Sequence, residues 1–190
     1  MKKLFMICIL ATLSACATIT PSSLIYFTPT STTSSTQIGN GKSFTLVSQD
    51  ERSSQYIARI TAIDEPDIPL NSSQPVRKTY ETALFQQFLS QGFNVTRESN
   101  NTVTVHIQKT FAKVTKAEVD YTIEATVGLQ VVAETPAGKM VKTYNGFTTQ
   151  EGSFDPSLLD IQDVINRAAS RVLAEIGTDQ ELQKYMSERF

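Results

Sequence analysis

The chain is poor in the residues that most site chemistry requires. Its 190 residues include two cysteines and one histidine. Cys8 lies inside an apolar N-terminal stretch and Cys16 directly after it, so the rest of the chain has no thiol for a disulfide, a metal or a nucleophile. Its stability must come from its core. A lone histidine, His106, argues against a zinc centre, and no cofactor is implied. Positive charge is also sparse. The formal charge is -2 with no basic cluster, which argues against nucleic acid, whose binding rests on phosphate neutralisation. It gives no reason for adhesion to anionic headgroups either. There is no G-x-S-x-G elbow, no S-x-x-K and no phosphate-cradling glycine loop. The main apolar run, from Leu4 to Leu13 and broken by Thr12, is about half of what a helix needs to cross a bilayer.

That run has a specific context. Lys2 and Lys3 precede it and Leu13-Ser14-Ala15-Cys16 follows, which gives a charged n-region, a short h-region and small residues before a cleavage point. The pattern resembles the lipobox of bacterial lipoprotein signal peptides. That resemblance implies cleavage between Ala15 and Cys16, a diacylglyceryl group on the Cys16 thiol and acylation of the new amino terminus. Loss of Lys2 and Lys3 would take the charge from -2 to -4. Each buried CH₂ contributes about 0.8 kcal/mol, so three acyl chains would hold the protein durably at a membrane. Ala17, where an aspartate would signal inner-membrane retention in enteric bacteria, points to the inner leaflet of the outer membrane, with the domain facing the periplasm.

Residues 16–43 read as a lipidated cysteine and a tether. About half of residues 17–43 are serine or threonine, a composition too polar to order itself. One island, Leu24-Ile25-Tyr26-Phe27 between Pro21 and Pro29, is expected to dock as a short edge strand. Residues 44–190 read as one periplasmic domain. Strands are expected over 44–47 and 55–63, and a loop over 64–75. A helix over 75–91 carries Val76, Tyr80, Leu84 and Phe88 on one face, and Gly92 closes it. Strands over 102–108, 119–134 and 139–150 alternate apolar and polar residues, and Asn145-Gly146 suggests a bulge. Asp155-Pro156 is expected to open a second long helix with Leu158, Ile161, Ile165, Ala168, Val172 and Ile176 on its apolar stripe. Thr178-x-x-Glu181 is expected to cap a short terminal helix. The whole predicts an α+β fold: an antiparallel sheet with two long helices packed on one face, a two-layer sandwich, plus a short C-terminal helix.

The segment from about Phe85 to Met186 resembles the YajG family of enterobacterial outer-membrane lipoproteins. The matching stretches are Gln91-Gly92-Phe93-Asn94-Val95, the strand from Val103 to Ile107, Val119-Asp120-Tyr121-Thr122-Ile123, Gly138-Lys139-Met140, Lys142-Thr143-Tyr144 and Glu151-Gly152-Ser153-Phe154. The resemblance implies an anchored protein facing the periplasm and carries no assigned activity. Two function classes follow. The first is a non-enzymatic binding or envelope-assembly module that meets an envelope protein or cell-wall polymer on the polar sheet face of Thr104, His106, Gln108, Thr122, Glu124 and Thr126, or adds a partner strand to an edge. The second is a periplasmic hydrolase of wall glycan or peptide, which requires at least two of Glu151, Asp155, Glu124 and His106 to converge in a pocket.

Overall fold

The computed structural model describes residues 24–190. The expectations for the signal peptide, for cleavage at Ala15 and for lipidation of Cys16 lie outside the described residues. The elements are β1 (Leu24–Ile25), β2 (Ser43–Asp50), β3 (Ala58–Ala62), β4 (Ile68–Ser72), α1 (Val76–Ser90), β5 (Asn94–Val95), β6 (Thr102–Lys116), β7 (Asp120–Thr135), β8 (Gly138–Ser153), α2 (Leu158–Thr178) and α3 (Gln180–Arg189).

The sheet corrects the antiparallel sandwich expected from sequence. All eight strands form one mixed sheet curled into a half-barrel, with three helices. Its frame is the antiparallel set β6–β7–β8, whose long strands alternate buried and open positions. Along the free edge of β6, two shorter strands follow in file, both parallel to it. β2 pairs with Thr102–Ile107 and β3 with Ala112–Lys116. Period-two patterning marks a strand as half-buried but is blind to its neighbour's direction. The parallel pairings therefore escaped a reading that assumed a meander.

Alternation decides what the concave face receives. Val103, Val105, Ile107, Ala112, Val114, Ile123, Ala125, Val127, Leu129 and Val131 are buried there, facing Ile161, Ile165, Ala168, Val172 and Ile176 of α2. Fully burying each valine, leucine or isoleucine side chain contributes about 1.5–3 kcal/mol, so this interface is the main source of cohesion. Phe44 stacks edge-on against Phe88 and Phe93, with ring centroids 5.2 Å and 5.8 Å away, and closes the core beside α1.

Local details differ from expectation where tertiary contact decides. Ser157, not Asp155, caps α2, in a reciprocal capping box with Asp160. Asp179, not Thr178, caps α3 by accepting the Glu181 and Leu182 N–H groups. The β7–β8 register runs unbroken through Asn145 and Gly146. The glycine there answers to α2 instead, because a Cβ on Gly146 would stand 2.8 Å from the Ala168 carbonyl oxygen. The bulge belongs to β6, between Ile107 and Lys109.

From Leu24 onward, the serine- and threonine-rich stretch packs against the body. β1 pairs in parallel with β4, so the apolar island docks as a strand. Ile25 and Phe27 are fully buried, and Phe27 meets the Tyr80 ring edge-on at 5.2 Å. The next residues form a strap. The N–H groups of Tyr26, Thr28 and Thr30 donate to Gln162, Asn166 and Ser170 on one side of α2, and those of Thr32 and Ser34 to Gln87 and Ser90 of α1. Two residues of extended chain advance about 6.6 Å and four residues of helix about 6 Å. That near-match lets every second N–H of the strap find every fourth helical side chain. The described part of the expected tether, from Leu24 onward, is thus bound to the domain.

Candidate functional site

The side of the sheet away from the helices is convex and open. Of the six residues expected to form a polar face, Thr104 and His106 lie opposite Val132 and Gln130, while Thr122, Glu124 and Thr126 lie opposite Thr115, Lys113 and Phe111. All five are partly exposed on this outer side. Gln108 sits at the bulge and is exposed. Next to them, β8 adds Val141, Thr143, Phe147 and Thr149, all exposed. β8 pairs with β7 alone, so its other edge carries no strand, although the Arg171 guanidinium donates to the Phe147 carbonyl there at 3.4 Å.

The bulge has a counterpart across the strand. Between β2 and β3 the chain leaves the sheet over 51–57, and it rejoins on either side through Glu51 N–H to Ile107 O and Ala112 N–H to Ile57 O. The two irregularities together open a notch of about 350 Å³ lined by Arg52, Tyr56, Arg59, Gln108, Lys109 and Phe111, among others. Arg52 is fixed by a bidentate pair to Asp50, with Nε–Oδ1 2.9 Å and Nη2–Oδ2 2.8 Å, and its side chain is 6 % exposed. The bonds from Arg52 hold the Asp50 carboxyl below its ordinary range. Arg59 pairs with Asp67 at 3.3 Å and lies 6.0 Å from the Phe111 ring centroid. Beneath them the buried Tyr80 hydroxyl meets Thr110 Oγ1 at 3.1 Å, and burial raises its pKa so that it stays a neutral phenol.

With Arg52 and Arg59 each matched by a carboxylate, Lys109 supplies the notch's unmatched charge. The arrangement suits a carboxylate or similar anion beside a flat apolar group that rests on Tyr56 or Phe111. Sequence reasoning assigned Gln108 to the polar sheet face and did not foresee the notch or its other lining residues. A signal was present in the sequence: the alternating apolar positions switch from odd (Val103, Val105, Ile107) to even (Ala112, Val114) numbers, and the burial of β6 follows that switch at the bulge.

The four residues considered for hydrolysis do not meet in a concave pocket: Glu124 and Glu151 are diagonal neighbours, but on the open convex face, where Glu124 pairs with Thr149 and Glu151 with Thr122. His106 Nδ1 lies 2.6 Å from Glu51 Oε1. Glu124 stands opposite Lys113, seven residues along β6, or about 23 Å away. Glu151 faces Thr122, and Asp155 pairs with Lys116 at 2.5 Å. Among the described residues no three His, Cys, Asp or Glu side chains gather as metal ligands. No described helix is long and apolar enough to cross a membrane.

A curled mixed sheet with its helices on the concave side is also the architecture of protein XCC0632 from Xanthomonas campestris, of the DUF330 family. The likeness covers 87% of this chain and 97% of that one, with a TM-score of 0.55 and 10% identity. A Helicobacter pylori protein described as a homolog of a neuraminyllactose-binding hemagglutinin aligns over 87% of this chain and 97% of its own, with a TM-score of 0.47 and 11% identity. No curated protein matches the sequence. A family model does: it matches residues 29–187 and carries the description "Uncharacterized lipoprotein". The chain belongs to that lipoprotein family.

Proposed function

We propose that the protein is a non-enzymatic binding module of the bacterial envelope. It is held through acyl chains on Cys16 in the inner leaflet of the outer membrane and presents its convex sheet face to a periplasmic protein. The anchoring half rests on family membership, the lipobox and Ala17, and the YajG resemblance over residues 85–186 points the same way. The recognition half rests on one observation. The outer face of β6–β8 carries no helix and is continuous with the open edge of β8, while all three helices occupy the other face. Such an edge accepts a partner strand through main-chain hydrogen bonds, and side chains on the adjoining face select it. The notch would receive an acidic side chain of that partner. A cell-wall polymer is the competing ligand for the same face.

The test is site-specific photo-crosslinking in intact cells from full-length protein. A crosslinker at Thr126, Thr143 or Phe147 should give one discrete protein adduct, Lys109→Glu should weaken it, and a crosslinker at Lys78 on α1 should give none. Wall fragments instead of protein would transfer the face to the polymer. Adducts only from Lys78 would overturn the assignment of this face.

A further inference from the structure

Six of the twelve large apolar side chains that are exposed in the described structure gather at one end of the half-barrel: Ile63, Ile68, Val119, Phe154, Leu158 and Leu159. They come from four separate elements. Ile63 and Ile68 flank the β3–β4 turn, Val119 tips the β6–β7 hairpin, Phe154 follows β8, and the two leucines open α2. A hydrogen bond from Phe154 N–H to Val119 O at 2.9 Å ties two of these elements together. Phe154 is 78% exposed and its φ is +67°, a region that bulky side chains rarely occupy. The fold holds this ring outward at a conformational cost. The opposite end of the barrel is polar, with Lys42, Ser43, Glu98, Ser99, Asn100 and Asn101 around its rim.

The course of the chain says which surface this end meets. β1 runs parallel to β4, which starts at this end with Ile68, so the strand traced back from Leu24 heads towards the apolar tip. Leu24 lies level with Asn71, three residues or about 10 Å short of Ile68. From Leu24 to Cys16 is eight residues, which span at most about 28 Å. A lipid group on Cys16 therefore keeps the apolar tip close to the bilayer.

We infer that this tip docks on the membrane as a second contact beside the acyl chains, with Phe154 and Leu159 entering the headgroup–acyl boundary of a zwitterionic leaflet. Exposed apolar clusters of this kind mark interaction surfaces, and shallow insertion of aromatic and leucine side chains is how monotopic proteins hold the interface. The charge around the tip sets the lipid preference. Asp64, Glu65, Glu118 and Asp155 stand against Lys116, so an anionic surface repels the tip and a zwitterionic one does not. The inference rests on the anchoring proposed above.

The protein has no tryptophan, so a single introduced indole reports its own surroundings. Full-length lipidated Phe154→Trp and Leu159→Trp, reconstituted into phosphatidylethanolamine–phosphatidylcholine vesicles with brominated acyl chains, should show blue-shifted emission and loss of intensity. Phe147→Trp, on the outer sheet face, should show neither. If the protein floats with the vesicles but the Phe154→Trp and Leu159→Trp emission matches that of Phe147→Trp, the docking is overturned while the anchor stands. If the protein does not float at all, the anchoring reading is overturned and this docking with it.

Discussion

The main-chain N–H of Thr28 donates to Asn166 Oδ1 at 2.9 Å, and Asn166 Nδ2 returns a bond to the Tyr26 carbonyl at 3.1 Å. One side chain thus holds both polar groups of an extended segment more than a hundred residues away. Asn166→Ala removes both bonds and should cost about 1–2 kcal/mol at this partly solvated position. Urea unfolding measures the loss. Chymotryptic cleavage at Tyr26–Phe27 should accelerate more than global unfolding does, because the strap can open locally.

Gly146 marks the closest approach of β8 to α2. A Cβ there would meet the Ala168 carbonyl oxygen at 2.8 Å and Val172 Cγ2 at 2.6 Å. Backbone on one side and a packed core side chain on the other leave little room to yield. Gly146→Ala should therefore destabilise the protein by about 1–3 kcal/mol, read as a fall in thermal midpoint.

The Phe44 ring is fully buried among Phe88, Phe93 and Phe190. Phe44→Ala should cost about 3–5 kcal/mol, and Phe44→Leu clearly less, since more of the volume stays filled. Both values come from the shift in denaturation midpoint at constant slope.

Asp179 gives acid sensitivity a defined source. Burial pushes its carboxyl up, but the Leu182 N–H, the Tyr144 hydroxyl and the Lys142 ammonium outweigh burial and hold it below its ordinary 3.8. A group depressed on folding contributes stability above its unfolded pKa and loses it as pH falls through the folded value. Asp179→Asn keeps an oxygen to cap α3 but removes the titration. The variant should show a shallower loss of stability below about pH 4, followed by unfolding across an acid series.

The helices were legible because their apolar stripes recur at three and four residues and both became buried faces: Val76, Tyr80, Leu84 and Phe88 in α1, and Ile161 to Ile176 in α2. The long strands were legible from alternation. The placement of β2 and β3 along β6 was not, since pairing partners lie far apart in sequence and alternation carries no direction. The strap was misread for a related reason. Ser/Thr composition describes what residues 30–36 cannot bury, whereas their order depends on Gln87, Ser90 and Ser170, which read on their own as ordinary helical polar residues. Of the candidate face, the alternating polar positions were visible. The arginines of the notch became relevant only once β2 and β3 were known to leave a gap opposite the bulge.

The strap also sets how the molecule bears load. A pull at Leu24 along the chain axis acts along β1 and the strap, which the rungs to Gln162, Asn166 and Ser170 tie sideways to α2. Those bonds lie across the pull and share it, so they resist sliding together instead of breaking in succession. Force arriving from an anchored end would be spread into α2, and through α2 into the sheet, before any strand of the core is strained.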